Sequence, residues 1–266
     1  MKRILLITSL FICTASFSQS EAANKKPTRQ PNVIIVMTDD QGFGDICANG
    51  NPYLKTPNLD QLYKESTRLT NFHSDPSCSP TRAALLTGQY SARSGVWHTT
   101  GGRSMLDQTK ITMADVFKFN GYKTGIFGKW HLGQEPYSPL EQGFDVDVPH
   151  YSGPGPAGKN IAPWRFPAEL NFTGKPGEHI EDRMANEAIK FIRANKDKSF
   201  FLNYWAFSVH APFDAKADLI KKYAAKADPN DPQRCPVYGA MVQTFDENVG
   251  QLLSVLDELK LTDNTI

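Results

Sequence analysis

Apolar residues along the chain follow two alternating rhythms. Asn32–Met37 (NVIIVM) is a short continuous β-branched run, as expected of a parallel strand covered on both faces. The loop Thr38–Gly44 follows it. Asn58–Ser66 carries Leu59, Leu62 and Tyr63 at helical spacing after the start signal Thr56-Pro57, and predicts a helix. Arg68–His73 reads as a second strand, Pro80–Gly88 and Thr112–Asn120 as helices, and Tyr122–Gly128 as a strand. From Asp145 to Pro176 the periodicity is lost in a Gly/Pro-rich stretch, densest at Tyr151–Gly158; a long loop without structure of its own is usually functional or covering. Glu178–Asn195 puts Ile180, Met184, Ala188, Phe191 and Ile192 on one helical face. Ser199–Ser208 is a strongly apolar strand, and Tyr238–Leu259 a long amphipathic helix. Thr262–Ile266 reads as the turn into another strand. Strands alternating with helices predict an α/β fold: a largely parallel central sheet with helices on both faces. Ligands of such sheets sit beyond the carboxyl ends of the strands, and Asp39, Asp40, Lys129, His131 and His210 all fall there.

Composition narrows the class without naming a function. The chain has 266 residues, 40% hydrophobic, with 29 Lys and Arg against 28 Asp and Glu. That length suits one large domain. Charged residues at 21% and aromatics at 11% exclude a disordered chain. A formal charge of +1 excludes a generally basic nucleic-acid binder. No run of about eighteen apolar residues offers a membrane span. The N-terminus carries a different signal: Met1-Lys2-Arg3, an apolar stretch Ile4–Phe17, then a small and polar tract. This predicts a signal peptide over residues 1–23, a lead-in over 24–31 and a catalytic domain over 32–266, exported to the periplasm or secreted. Cleavage removes Cys13 and leaves Cys47, Cys78 and Cys235, an odd set for an oxidising compartment.

Two features carry chemistry. Adjacent carboxylates at Asp39-Asp40 repel each other unless a cation lies between them or one is protonated, and a hard divalent ion fits such oxygen ligands; an N-cap or solvated loop acids would also account for the pair. The segment Cys78-Ser79-Pro80-Thr81-Arg82 is followed by Ala83-Ala84-Leu85-Leu86-Thr87-Gly88, and Gly121–Gly133 (GYKTGIFGKWHLG) comes downstream. CSPTR with its LTG, and GKWHLG after it, resemble the two signatures of the type I sulfatases, formylglycine-dependent members of the alkaline-phosphatase-like superfamily. The resemblance runs from about Pro31 to the end of the chain.

That resemblance implies an alkaline-phosphatase-like fold and a sulfuric-ester hydrolase acting on sulfated carbohydrates or aryl sulfates. It implies that a maturation enzyme oxidises Cys78 to Cα-formylglycine, whose hydrate attacks sulfur with one hydroxyl and expels sulfate with the second. Cys47 and Cys235 then remain as a possible pair. Asp39, Asp40 and residue 78 match ligands of a divalent metal, Ca²⁺ ahead of Mg²⁺. Arg82 matches the arginine that holds the formylglycine hydrate. Lys129 matches the sulfate-binding lysine, and His131 the histidine that activates the second hydroxyl. His210 matches a substrate-binding histidine and candidate acid for the leaving group, and Ser152 a polar sulfate contact. His73, His98, His150 and His179 lack a motif and read as structural or loop residues. Trp97, Trp130, Trp164 and Trp205 could stack on sugars, though tryptophans more often serve the core.

Members of the family continue into an Asp-Asn strand end, a further lysine and a smaller C-terminal domain. Their absence here leads us to expect a chain truncated before the last core strands, with an incomplete metal site and an exposed sheet edge. Two other readings stand beside the sulfatase: a phosphonate or phosphodiester hydrolase of the same superfamily, and a non-catalytic chain that only binds sulfated glycans.

Overall fold

The computed structural model describes residues 29–266; the expected signal peptide and most of the lead-in lie outside the described residues. Four strands, β1 (Val33–Met37), β2 (Lys123–Gly128), β3 (Val146–Val148) and β4 (Phe200–Trp205), form a wholly parallel sheet in the order β1-β4-β2-β3. The helices are α1 (Pro57–Glu65), α2 (Cys78–Thr87), α3 (Ser91–Ser94), α4 (Met113–Phe119), α5 (Ile180–Ala194), α6 (Ala217–Ala224) and α7 (Pro236–Glu258). No helix of the described residues is long and apolar enough to cross a membrane.

Central strand β4 shows why the run Phe200–Trp205 is apolar throughout. Its side chains alternate between faces, and both faces are covered. Phe200, Leu202 and Tyr204 pack with α5 and α7 residues such as Met184, Phe191, Phe245 and Leu252. Phe201 and Trp205 pack on the other face with Ala83 and Leu86 of α2 and Ala114 of α4. Each large apolar side chain buried this way contributes about 1.5–3 kcal/mol. A third cluster joins α6 and α7 to Tyr53 and Leu54. Helix α1 is held at its start by α7: Asp246 accepts from the Leu59 N–H at 2.8 Å and from Asn58 Nδ2 at 2.8 Å.

Register brings the strand ends together. Met37 of β1 and Gly128 of β2 both pair with Trp205 of β4, so three strands finish level. The chain leaves all three at one edge, and Asp39, Lys129 and His210 leave with it.

The structure corrects several expectations. Arg68–His73 forms no strand and lies exposed; β1 is bordered by β4 on one side and by Asn264–Ile266 on the other, and neither neighbour is this segment. Leu69 and Phe72 are each 70% exposed, so the apolar positions that suggested a strand are not buried. Strand β1 itself is half-buried because it sits at the outside of the four-stranded order. The Asp145–Pro176 stretch is not wholly structureless: Val146–Val148 pairs with β2 as β3, too short to show a period. Helix α6 was not foreseen, since its apolar face reduces to Leu219 and Tyr223. Thr265 bridges Asn32 in parallel, in keeping with the expected turn into a strand. Cys47 and Cys235 are both free; Cys47 Sγ donates to the Leu54 carbonyl at 3.1 Å, and Cys235 precedes α7 without a capping bond from its side chain. Trp130, Trp164 and Trp205 are core residues, while Trp97 is half-exposed beneath the Arg103 guanidinium.

Candidate active site

Helix α2 begins at Cys78, and its C-terminus is closed by Gly88 in the left-handed conformation, a position that suits a residue without Cβ. Residue 78 therefore stands at the positive end of a ten-residue helix, where unpaired N–H groups favour an anion. Ser79 Oγ donates to the His131 carbonyl at 2.6 Å and ties this helix start to the segment after β2. Cys78 Sγ lies 3.1 Å from His131 Nδ1.

That segment departs from β2 through Gly128. Its φ is +117°, and a Cβ there would stand 1.9 Å from the Trp205 carbonyl oxygen, so only glycine fits. The Lys129 N–H then donates to the same carbonyl at 2.8 Å, and the lysine side chain turns into the protein, fully buried. Its Nζ donates to Asp39 Oδ2. Arg82, 1% exposed, approaches Asp39 Oδ1 at 3.5 Å, donates to the Lys129 carbonyl at 2.7 Å and lies over the Trp205 ring. Two cations thus share one buried carboxylate, leaving net positive charge beside residue 78.

The charge states follow. Burial works to raise Asp39, but Arg82 and then Lys129 outweigh it and hold the carboxyl below its usual range. Burial lowers the Arg82 guanidinium, opposed by Asp39 and Cys78. Burial, then the Lys129 and Arg82 charges, brings His131 down to about 4, so its imidazole is neutral near pH 7 and can accept a proton. Asp40 is largely exposed, and its Oδ2 lies 3.6 Å from His210 Nε2. Asp40 and His131 both adopt left-handed backbone, φ 60° and 59°, which costs about 1–3 kcal/mol per residue and gathers strain at this edge.

Seven of the eight sequence-predicted residues therefore meet at one sheet edge: Cys78 with His131, Asp39 with Arg82 and Lys129, and Asp40 with His210. Ser152 does not join them; it lies on the wall of a neighbouring cavity with Trp130 and Tyr151. As metal donors, Asp39 and Asp40 are of the right kind for a hard cation but too few. Among the described residues no group of three His, Cys, Asp or Glu side chains could hold a metal, and both Asp39 oxygens already face cations, whereas such ions take six or more oxygens.

Glu181 was missed. It is fully buried, its Oε1 accepts from the Ser208 N–H at 2.7 Å, and burial pushes it up to about 7. It thereby braces the turn that presents His210. A signal existed: the residue falls on the apolar face of α5, one turn before Met184.

Three comparisons bear on the family of this chain. Residues 31–266 match the family model described as Sulfatase. The chain is 34% identical to human N-acetylgalactosamine-6-sulfatase over 88% of its length, covering 48% of that protein. It is 30% identical to human arylsulfatase A over 92% of its length, covering 52% of that protein. Among solved structures it superposes on Ps i-CgsB with a TM-score of 0.75 at 28% identity, covering 89% of this chain and 57% of that one. The chain belongs to the sulfatase family. It spans about half the length of the curated relatives it matches.

Proposed function

We propose that the protein hydrolyses sulfuric esters of carbohydrates or aryl alcohols, outside the cytoplasm, with residue 78 as nucleophile after a maturation enzyme converts Cys78 to formylglycine. One observation carries the reading: Cys78 stands at a helix N-terminus 3.1 Å from His131 Nδ1, with Arg82 and Lys129 buried alongside. The hydrated aldehyde would supply a geminal diol, one hydroxyl to attack sulfur and one to lose its proton. His131 has the charge state and position to take a proton from a hydroxyl on residue 78. Lys129 and Arg82 provide positive charge for the sulfuryl oxygens as negative charge develops there. His210, less buried than these and open to the groove, suits proton donation to the departing alcohol. A divalent cation, calcium rather than magnesium, would need oxygen donors beyond Asp39, Asp40 and residue 78, and no step of this reading runs through it. Support for a carbohydrate comes from relatives, since one is named an N-acetylgalactosamine-6-sulfatase and Ps i-CgsB has been crystallised with k-i-k-neocarrahexaose. The basic and apolar N-terminal pattern supports export.

The test is mass spectrometry of the peptide spanning Cys78, from protein made in a host that carries out this maturation, together with matched sulfate and phosphate ester assays. Exchange of H₂S for O makes the residue roughly 18 Da lighter. A lighter peptide, sulfate release and its loss in Cys78→Ala are expected. An unmodified thiol removes the nucleophile, and preference for the phosphate ester transfers the chain to the phosphonate or phosphodiester class.

A further inference from the structure

Glu181, the second residue of α5, is wholly buried beneath the turn that follows β4. Its carboxyl meets backbone and hydroxyl donors there: Oε1 accepts from the Ser208 N–H at 2.7 Å, and Tyr204 Oη lies 3.4 Å from Oε2. Burial pushes the group up to about 7 against the pull of the Ser208 and Phe207 backbone, so a neutral acid, accepting through its carbonyl oxygen, is well populated near neutral pH. An acid carried at this depth costs free energy that an apolar side chain would not. The turn shows what it does. Phe207, Ser208 and Val209 are all at most 3% exposed, so their backbone groups need partners inside the protein. The Asp39 N–H donates to the Ser208 carbonyl at 2.9 Å and the Val209 N–H to the Asp39 carbonyl at 2.8 Å, which ties the turn to the chain leaving β1. The Ser208 N–H is left over, and Glu181 is the acceptor that takes it. His210 leaves the turn two residues later, with its Nε2 3.6 Å from Asp40. One residue, Ser208, therefore joins α5 to Asp39, and the place of His210 depends on it.

We propose that Glu181 is a positioning residue for proton donation to the departing alcohol: its hydrogen bond to Ser208 fixes where His210 stands at the strand ends. The inference rests on the sulfuric-ester reading above and adds the residue that sets the donor's place. Its consequence is specific. Without Glu181 the buried Ser208 N–H has no acceptor, and the turn must shift to find one. Asp39 keeps its pairs with Arg82 and Lys129, and Cys78 keeps its contact with His131. Loss of Glu181 should therefore spare the nucleophile's side of the displacement and weaken the side on which the alcohol leaves. A misplacement of about 1 Å can cost on the order of a hundred-fold in rate. The loss should grow as the leaving group worsens, because a nitrophenolate departs without a proton whereas a more basic phenolate is helped by one.

The test measures kcat of the matured full chain on 4-nitrophenyl sulfate and phenyl sulfate, two esters of similar shape. Glu181→Met keeps the length of the side chain and removes the oxygen acceptor. It should lower kcat on phenyl sulfate on the order of ten-fold further than on 4-nitrophenyl sulfate. Glu181→Gln keeps an amide oxygen for the Ser208 N–H and should hold both rates within about three-fold of the unaltered protein. His210→Gln should show the same split between esters, and adding Glu181→Met to it should widen the split no further. Circular dichroism checks folding; where Glu181→Met does not fold, Glu181→Asp, with a stem one carbon shorter, should show the split instead. An equal loss on both esters marks a merely structural role and overturns the proposal, as does a further split in the double variant. Amide hydrogen exchange reads the hold on the turn without turnover: Ser208 should exchange about ten-fold faster in Glu181→Met than in Glu181→Gln, and equal rates overturn the proposal. Release of sulfate from neither ester by the unaltered chain overturns the sulfuric-ester reading instead, and the exchange alone then decides whether Glu181 holds the turn.

Discussion

Replacing Asp39 by Asn tests whether one carboxylate keeps two buried cations in place. Lys129 is fully buried and Arg82 is 1% exposed, so removing the shared counter-charge leaves both positive in a dry site. At 3.5 Å from Arg82, and with an effective dielectric of about 20, the lost Coulomb attraction is on the order of 5 kcal/mol. The asparagine side chain in Asp39→Asn would keep an amide oxygen as acceptor, and the measured cost of breaking a buried pair is about 3–5 kcal/mol, so a loss near 3 kcal/mol is expected. With roughly 2–4 °C per kcal/mol for a domain of this size, the thermal midpoint should fall by on the order of 10 °C. Urea and thermal unfolding of the full chain in the presence of a chelator measure this. The pH dependence adds a sign. Because the folded Asp39 titrates below its ordinary 3.8, its stabilisation is present above that value and is lost as pH falls through the lower folded one. The variant should lack this acid limb. A second change, Lys129→Met, should restore part of the loss by removing a charge with no partner. An unfolding free energy altered by less than about 1 kcal/mol, with native near-UV circular dichroism, would refute the argument that Asp39 neutralises this cluster.

Other outcomes follow from single residues. Glu181 titrates at about 7 when folded against 4.5 ordinarily, so its contribution is fully favourable below 4.5 and is lost as pH rises towards 7, up to about 3 kcal/mol. Urea midpoints from pH 4 to 8 should slope accordingly, and Glu181→Gln should flatten the slope. Gly128→Ala drives a Cβ into the Trp205 carbonyl and should cost at least about 2 kcal/mol by thermal unfolding; a neutral effect would show that the strand end can move. Asp246→Ala strips the acceptor that caps α1 and should cost about 1–3 kcal/mol, with faster amide exchange at Leu59.

Much of the fold was legible because long periodic segments announce themselves. Helices α5 and α7 and strands β2 and β4 lie close to where the apolar pattern predicts them, since each buries a face large enough to mark the sequence. The failures were short or weakly partnered. Val146–Val148 is too brief to reveal a period, α6 buries two large side chains, and Arg68–His73 has strand-like residues but no strand beside it. The candidate site was legible in kind through Cys78–Arg82 and Lys129–His131, motifs whose order survives in one dimension.

What the sequence determined alone is therefore the identity of the reactive groups and the layered α/β plan, both consequences of local spacing. Tertiary structure decided how those groups behave. Level strand ends at Met37, Gly128 and Trp205 bring residues 39, 82 and 129 into one desolvated cluster, and burial first, then the Lys129 and Arg82 charges, lowers His131 there. The same closure turns Glu181 inward against the Ser208 turn. Charge state and burial depend on neighbours far apart along the chain, so they exist only once the chain has folded.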